Sequence, residues 1–178
     1  MKRCVVCILS LALLFLVGCL PQEELISQDS FLGTTKSGET PLPPSTEFPF
    51  ETIDRGFRSG IRDARQVVIH DLEAWRGLWT EHVKGRFPEP PLPPVNFIHE
   101  MVIAFFLGEK STSGYTATVR EIFVSDGKLL VKVEVETPQP GAFLLQVLTQ
   151  PFHIVKVTRT DLPVDFLIQE SCSKSADR

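Results

Sequence analysis

The chain has 178 residues, of which 43% are hydrophobic, and 18 Lys and Arg stand against 22 Asp and Glu for a formal net charge of −4 at pH 7. A chain of this size holds one ordinary domain with appendages. Its negative balance, with no basic cluster, argues against nucleic-acid binding, which draws its affinity from neutralising phosphates.

A short cationic start, Met1-Lys2-Arg3, leads into an almost unbroken apolar run from Cys4 to Val17. As a helix that run would be roughly 20 Å long, short of the ~30 Å hydrocarbon layer a spanning helix must cross. A cationic head, an apolar middle and a small residue at the exit describe a removable export signal over residues 1–18. The exit residue is Gly18, with Cys19 after it. Leu16-Val17-Gly18-Cys19 resembles the bacterial lipobox, which implies cleavage after Gly18 and lipid attachment at Cys19 through diacylglyceryl, palmitate-class chains. Two or three acyl chains hold a protein firmly to a membrane at about 0.8 kcal/mol per buried methylene, so no basic patch is needed. An ordinary cleaved signal, or a disulfide between Cys19 and Cys172, is the rival reading. Leu20 after the cysteine resembles the signal for outer-membrane delivery in some two-membrane bacteria.

Residues 19–55 read as a disordered, proline-rich tether without a sustained period, averaging some 30 to 35 Å end to end for a flexible chain of that length. A strand packed around Phe48 and Phe50 is the alternative for its last residues. One domain is expected over 56–168, with a tail at 169–178. Within the domain, "VVI" at Val67–Ile69 predicts a short strand feeding a helix capped by Asp71, whose apolar stripe is Leu72, Trp75, Trp79 and Val83. That stripe suits a core face; an exposed aromatic platform for sugar is the competing reading. "MVIAFFLG" (Met101–Gly108) is apolar throughout, as a central strand buried on both faces would be.

Asp126-Gly127 predicts a two-residue hairpin turn between "YTATVREIFV" and a strand alternating Val131, Val133, Val135 with Lys132, Glu134, Glu136. The apolar parity slips between Val119 and Ile122, so a bulge is expected near Arg120 and Glu121. "AFLLQVLTQPFHIVKVTR" predicts two short strands split by Pro151, a residue suited to an edge. The fold class is therefore α+β: a mainly antiparallel sheet or small sandwich with one packed helix.

"VVIHDLEAWRGLW", "NFIHEMVIAFFLGEKSTSGYTATV", "DGKLLVKVEVETPQPG" and "LLQVLTQPFHIVKV", in this order, resemble the C-terminal domain family of the PrcB-type protease complex subunit over about Phe57 to Phe166. The resemblance implies an exported, often lipid-anchored domain that assists a surface protease complex without being the protease, and it supplies no catalytic residues. Asn96 stands where an aspartate is common, and Ser113 where a glycine often precedes the tyrosine.

The residues themselves point to no chemistry. His70, His82, His99 and His153 lack metal-ligand spacing, His99 with Glu100 being the nearest to a start, and they read as solvated or capping. Ser59, Ser111 and Ser113 lie in turns without a Gly-x-Ser-x-Gly elbow. Glu134 and Glu136 lie on the polar side of a strand. No catalytic, cofactor or metal residues are assigned. Strand edges at Phe143–Leu148 or Phe152–Val157 are candidates for accepting a strand from another chain. The expectation is a lipid-anchored, extracytoplasmic accessory protein of the bacterial cell envelope that binds another envelope protein. The alternative is an enzyme or binding module for cell-wall or polysaccharide substrates. Mass spectrometry of the mature N-terminus should find acylated Cys19 as its first residue; an unmodified Cys19, or a chain that keeps Met1, would refute the anchor.

Overall fold

The computed structural model describes residues 46–172. The expected signal, Gly18, Cys19 and the tether up to residue 45 lie outside them. In chain order the elements are β1 (Thr46–Glu47), β2 (Phe50–Gly56), β3 (Arg65–Ile69), α1 (Leu72–His82), β4 (Glu100–Phe106), β5 (Thr116–Ser125), β6 (Lys128–Thr137), β7 (Phe152–Thr158) and β8 (Val164–Cys172). Two four-stranded sheets form, ordered β1-β5-β6-β8 and β2-β7-β4-β3. Every pairing is antiparallel except β6 with β8. The α+β expectation, a mainly antiparallel sandwich with one helix, matches this architecture.

The layers follow from strand alternation. Met101, Ile103 and Phe105 of β4 enter the core between the sheets, facing Ala117, Val119, Ile122, Leu129, Val131, Val133 and Val135 of β5 and β6. Val102, Ala104 and Phe106 point the other way, into a second core with Trp75, Leu78 and Trp79 of α1. The uninterrupted apolar run of β4 thus has a simple origin: one face meets a sheet and the other a helix. β7 is built alike, with Val155 and Val157 in the first core and Phe152 and Ile154 in the second.

Local sequence chemistry places the turns. Asp126 (φ 51°) and Gly127 (φ 71°) take the left-handed conformations a two-residue hairpin requires. The register slips between Val119 and Glu121, leaving Arg120 as the extra residue of a bulge.

A bulge frees a backbone N–H that needs a partner if buried. Here the Val119 N–H donates to His153 Nδ1 at 2.7 Å. That bond fixes the tautomer, so His153 Nε2–H donates to Thr52 Oγ1 at 2.9 Å. One imidazole on β7 therefore ties β2 of its own sheet to β5 of the facing sheet.

Several expectations are corrected. β1 and β2 fall inside the stretch read as tether, because β2 pairs with β7 from Phe50↔Val157 to Gly56↔Phe152 and inserts Phe50 and Ile53 into the two cores. The domain therefore begins by Thr46. It also runs past 168, since β8 pairs with β6 from Leu129↔Val164 to Thr137↔Cys172. Phe143–Leu148 is no strand; its flanks are used only in an isolated bridge between Lys110 and Thr149. β7 is an interior strand paired on both sides, so it offers no edge. Pro151 precedes it, and its carbonyl accepts from the Leu107 N–H at 2.9 Å. His153, read as solvated or capping, is buried.

Burial pushes the His153 pKa down from 6.5 to about 4, with Arg55 and Arg120 adding to the effect. The unfolded chain takes up this proton first. Stability is therefore full above the unfolded value and falls as pH drops through that window, by about 3 kcal/mol for this group. Asparagine can still accept the Val119 N–H but does not titrate. Urea unfolding between neutral pH and pH about 4 should show a smaller stability loss in His153→Asn than in the wild type by roughly that amount; equal losses would refute the assignment.

Candidate functional site

The helix that shapes the candidate site starts where the sequence says. Asp71 is in extended backbone conformation and its Oδ1 accepts the Ala74 N–H at 2.8 Å. The buried face is Trp75, Leu78, Trp79 and His82, followed by Val83, while Leu72 at the first turn is exposed. The indole of Trp75 donates to the Pro93 carbonyl at 3.1 Å, and that of Trp79 to the Pro90 carbonyl at 3.2 Å. The proline-rich segment after α1 thereby covers both rings, so the two tryptophans form no exposed platform for sugar.

His82 closes the buried stripe at 0% exposure, ringed by Trp79 at 5.3 Å, Phe106 at 5.8 Å and Phe152 at 4.4 Å between ring centroids. Its Nε2–H donates to Asp54 Oδ2 at 3.0 Å, and the Ser59 hydroxyl donates to Nδ1 at 2.9 Å. A carboxylate beside Nε2 requires the proton there, which fixes this tautomer. Ser59 Oγ in turn accepts from the Ile61 N–H at 3.0 Å. Arg86 Nη1 donates to the same Asp54 oxygen at 2.9 Å, and its other nitrogens donate to the Arg58 carbonyl. The guanidinium lies 5.3 Å from the Phe152 ring centroid.

Serine, imidazole and carboxylate in a row suggest a nucleophile relay, yet the electrostatics oppose one. Burial lowers the His82 pKa, and Arg86 lowers it further against the opposing effect of the hydrogen bond that His82 donates to Asp54. Burial works to raise Asp54, but the hydrogen bonds from His82 and Arg86 prevail and hold its carboxyl below the usual range. A ring that resists protonation is a poor general base. The cluster acts as a lock instead, joining β2, the β2–β3 loop and the end of α1. His82 was read from sequence as solvated or capping; the structure corrects this, because its partners lie 23 and 28 residues away.

The remaining flagged residues do not converge. His70 and His99 are exposed. Glu100 accepts from the Asn96 N–H at 2.9 Å and pairs with Lys156 at 3.4 Å, and its pKa is lowered accordingly. Glu134 pairs with Arg120 at 2.5 Å and Glu136 accepts from Thr116 at 3.0 Å. Among the described residues no three His, Cys, Asp or Glu side chains gather as a metal cluster, and no helix is long and apolar enough to cross a membrane. Cys172 is exposed at the end of β8.

The surface feature that stands out is the segment read as a strand. Phe143 (108% exposed), Leu145 (73%), Val147 (47%) and Leu148 (59%) present four large apolar side chains within six residues. Isolated exposed hydrophobics are ordinary, but a clustered set marks an interaction surface. The loop is held in place: the Ser113 N–H donates to the Leu145 carbonyl at 3.0 Å, the Leu145 N–H to Ser113 Oγ at 3.1 Å, and Thr149 Oγ1 to the Thr112 carbonyl at 3.0 Å. Gly114 (φ 93°) permits this approach, its Cβ position being 3.1 Å from Leu144 Cδ2. Ser113 was read only as a turn residue; here it anchors an apolar ridge.

Residues 101–158 match the family model described as PrcB C-terminal. That span runs from β4 to the end of β7 and contains the apolar ridge and His153. No curated protein and no solved structure matches the chain.

Removing the shared carboxylate should test the lock. Asp54→Ala would strand the His82 Nε2–H and leave the Arg86 charge half-buried, at a cost of about 2 to 4 kcal/mol. Chemical denaturation should show this loss; a change under about 0.5 kcal/mol would mean that the cluster holds nothing together.

Proposed function

On the premise that residues 101–158 carry a PrcB C-terminal family domain, we propose that the protein is a non-catalytic accessory subunit of the bacterial cell envelope that binds a protein partner, in the family's association a protease complex. Cys19 holds it to the membrane by lipid after cleavage behind Gly18, with the domain on the extracytoplasmic side. The observation that carries the reading is the pinned apolar ridge of Phe143, Leu145, Val147 and Leu148 inside the family-matched span.

The ridge has the properties of a docking element. Large apolar side chains held on a hydrogen-bonded loop lose little conformational freedom on binding, so more of their burial becomes affinity. Aromatic and aliphatic anchors of this sort dominate binding energy at protein interfaces. Burial of Trp75 and Trp79 removes the feature that favoured a polysaccharide-acting protein.

Affinity capture of the anchored protein from membranes at native expression should recover a reproducible partner. Phe143→Ser with Leu145→Ser should lower recovery by tenfold or more, as expected for the loss of about 2 kcal/mol at a hot spot, while changing folding stability by less than ~0.5 kcal/mol because both side chains are solvent-facing. Undiminished capture by a folded double variant would exclude the ridge as the docking element, and the absence of any reproducible partner would count against the accessory role.

A further inference from the structure

A half-open cavity of about 450 Å³ lies between the β2–β3 loop and the segment that follows α1, lined by Arg58, Arg62, Lys84 and Arg86 together with Gly60 and Gln150. Four cationic side chains face it and no carboxylate does, in a chain whose net charge is −4. This site is separate from the apolar ridge and does not depend on the proposed partner.

The charges are unevenly satisfied. Arg86 is committed to Asp54 and the Arg58 carbonyl. Arg62 reaches Glu109 only at 3.5 Å and is largely solvent-exposed. The Arg58 and Lys84 side chains have no hydrogen-bonding or ion-pair partner among the described residues. A cation just past a helix C-terminus complements the helix dipole, which accounts for Lys84. It does not account for Arg58 and Arg62, which arrive from a loop between strands.

The walls of the cavity are fixed by close backbone packing. The Gly60 N–H donates to the His82 carbonyl at 2.7 Å, and a Cβ on Gly60 would lie 2.2 Å from the Glu81 carbonyl oxygen and 2.9 Å from Lys84 Cβ. Only glycine lets the loop reach the helix end. Arg86, paired with Asp54 and bonded to the Arg58 carbonyl, forms a rigid floor, and the net positive charge of the cleft comes from Arg58, Arg62 and Lys84.

We infer that this cleft binds a phosphate-class oxyanion. Two unpaired cations, with a third loosely paired at the rim, match a dianion that offers three or four acceptor oxygens; a carboxylate brings one charge and two oxygens. The cavity is larger than a bare phosphate, which leaves room for a substituent such as a lipid glycerol. Free phosphate and the phosphomonoester headgroup of phosphatidic acid are the two sources of this chemistry.

The test is a titration of the full chain, in neutral detergent, with inorganic phosphate above neutral pH, followed by backbone amide NMR. Saturable shifts should concentrate at Arg58–Arg62 and Lys84–Arg86 and weaken with salt. Arg58→Ala with Lys84→Ala should weaken binding about tenfold or more while the melting temperature holds, since neither side chain has a partner among the described residues. Arg62→Gln should weaken it less. Unsaturable shifts spread over the cationic surface, or a folded double variant that titrates like the wild type, would overturn the site. Vesicles of phosphatidylcholine with and without phosphatidic acid then identify the source. Cleft shifts with the phosphatidic acid vesicles alone, competed by phosphate, support a headgroup; shifts with phosphate but with neither vesicle support the free anion.

Discussion

The central pair β4 and β7 has to serve two cores at once, and this double obligation organises the molecule. Each residue from Met101 to Phe106 is committed to one side or the other, so a register slip of one residue would exchange the contents of both cores. Hydrophobic alternation alone does not fix how the facing sheet sits on this pair. The polar bridge through His153 does, because it takes a hydrogen bond from Val119, beside the bulge of β5, and gives one to β2. A bulge, a buried imidazole and a threonine thereby define one relative placement of the sheets.

A second buried imidazole does comparable work on the opposite side of the inner sheet. His82 has an aromatic cage on its faces and hydrogen bonds at both nitrogens, so the end of α1, the loop after β2 and Arg86 become one rigid body. Rigidity there frames the cationic cleft, while the apolar ridge sits on a different loop pinned through Ser113. The scaffold thus presents two chemically opposite surfaces, one apolar and one cationic, each fixed by buried or backbone hydrogen bonds.

Much of this was legible from sequence where the signal is local. The Asp71 cap, the turn at Asp126-Gly127, the unbroken run of β4 and the parity slip near Arg120 each announce themselves within ten residues, and each stands in the structure. What escaped depends on distant partners. β2 reads as tether because only Phe50 and Ile53 are apolar in "FETIDRG", and its pairing is supplied by β7, some hundred residues on. β8 hides in the same way behind β6, although Val164, Phe166 and Ile168 alternate and the first two pack against the core. One polar partner of each, Asp54 for His82 and Thr52 for His153, comes from β2, so overlooking that strand made both histidines look solvent-facing. "AFLLQVL" has strand composition, but a ladder needs a free neighbour, and the prolines at 138, 140 and 151 keep it apart from one. The proposal of a lipid at Cys19 rests on sequence alone.

The order in which the chain enters the fold has a mechanical consequence. Among the described residues β1 holds to the outer sheet through Thr46 and Glu47, followed by the Phe48 N–H on the Ile122 carbonyl at 2.7 Å, and β2 then crosses to the inner sheet and runs beside β7 for seven. Tension drawn through the N-terminal segment would unzip the short ladder first and spare the longer one. The contacts of Thr46 to Phe48 would act as a sacrificial catch, yielding a few residues of slack before load reaches β2.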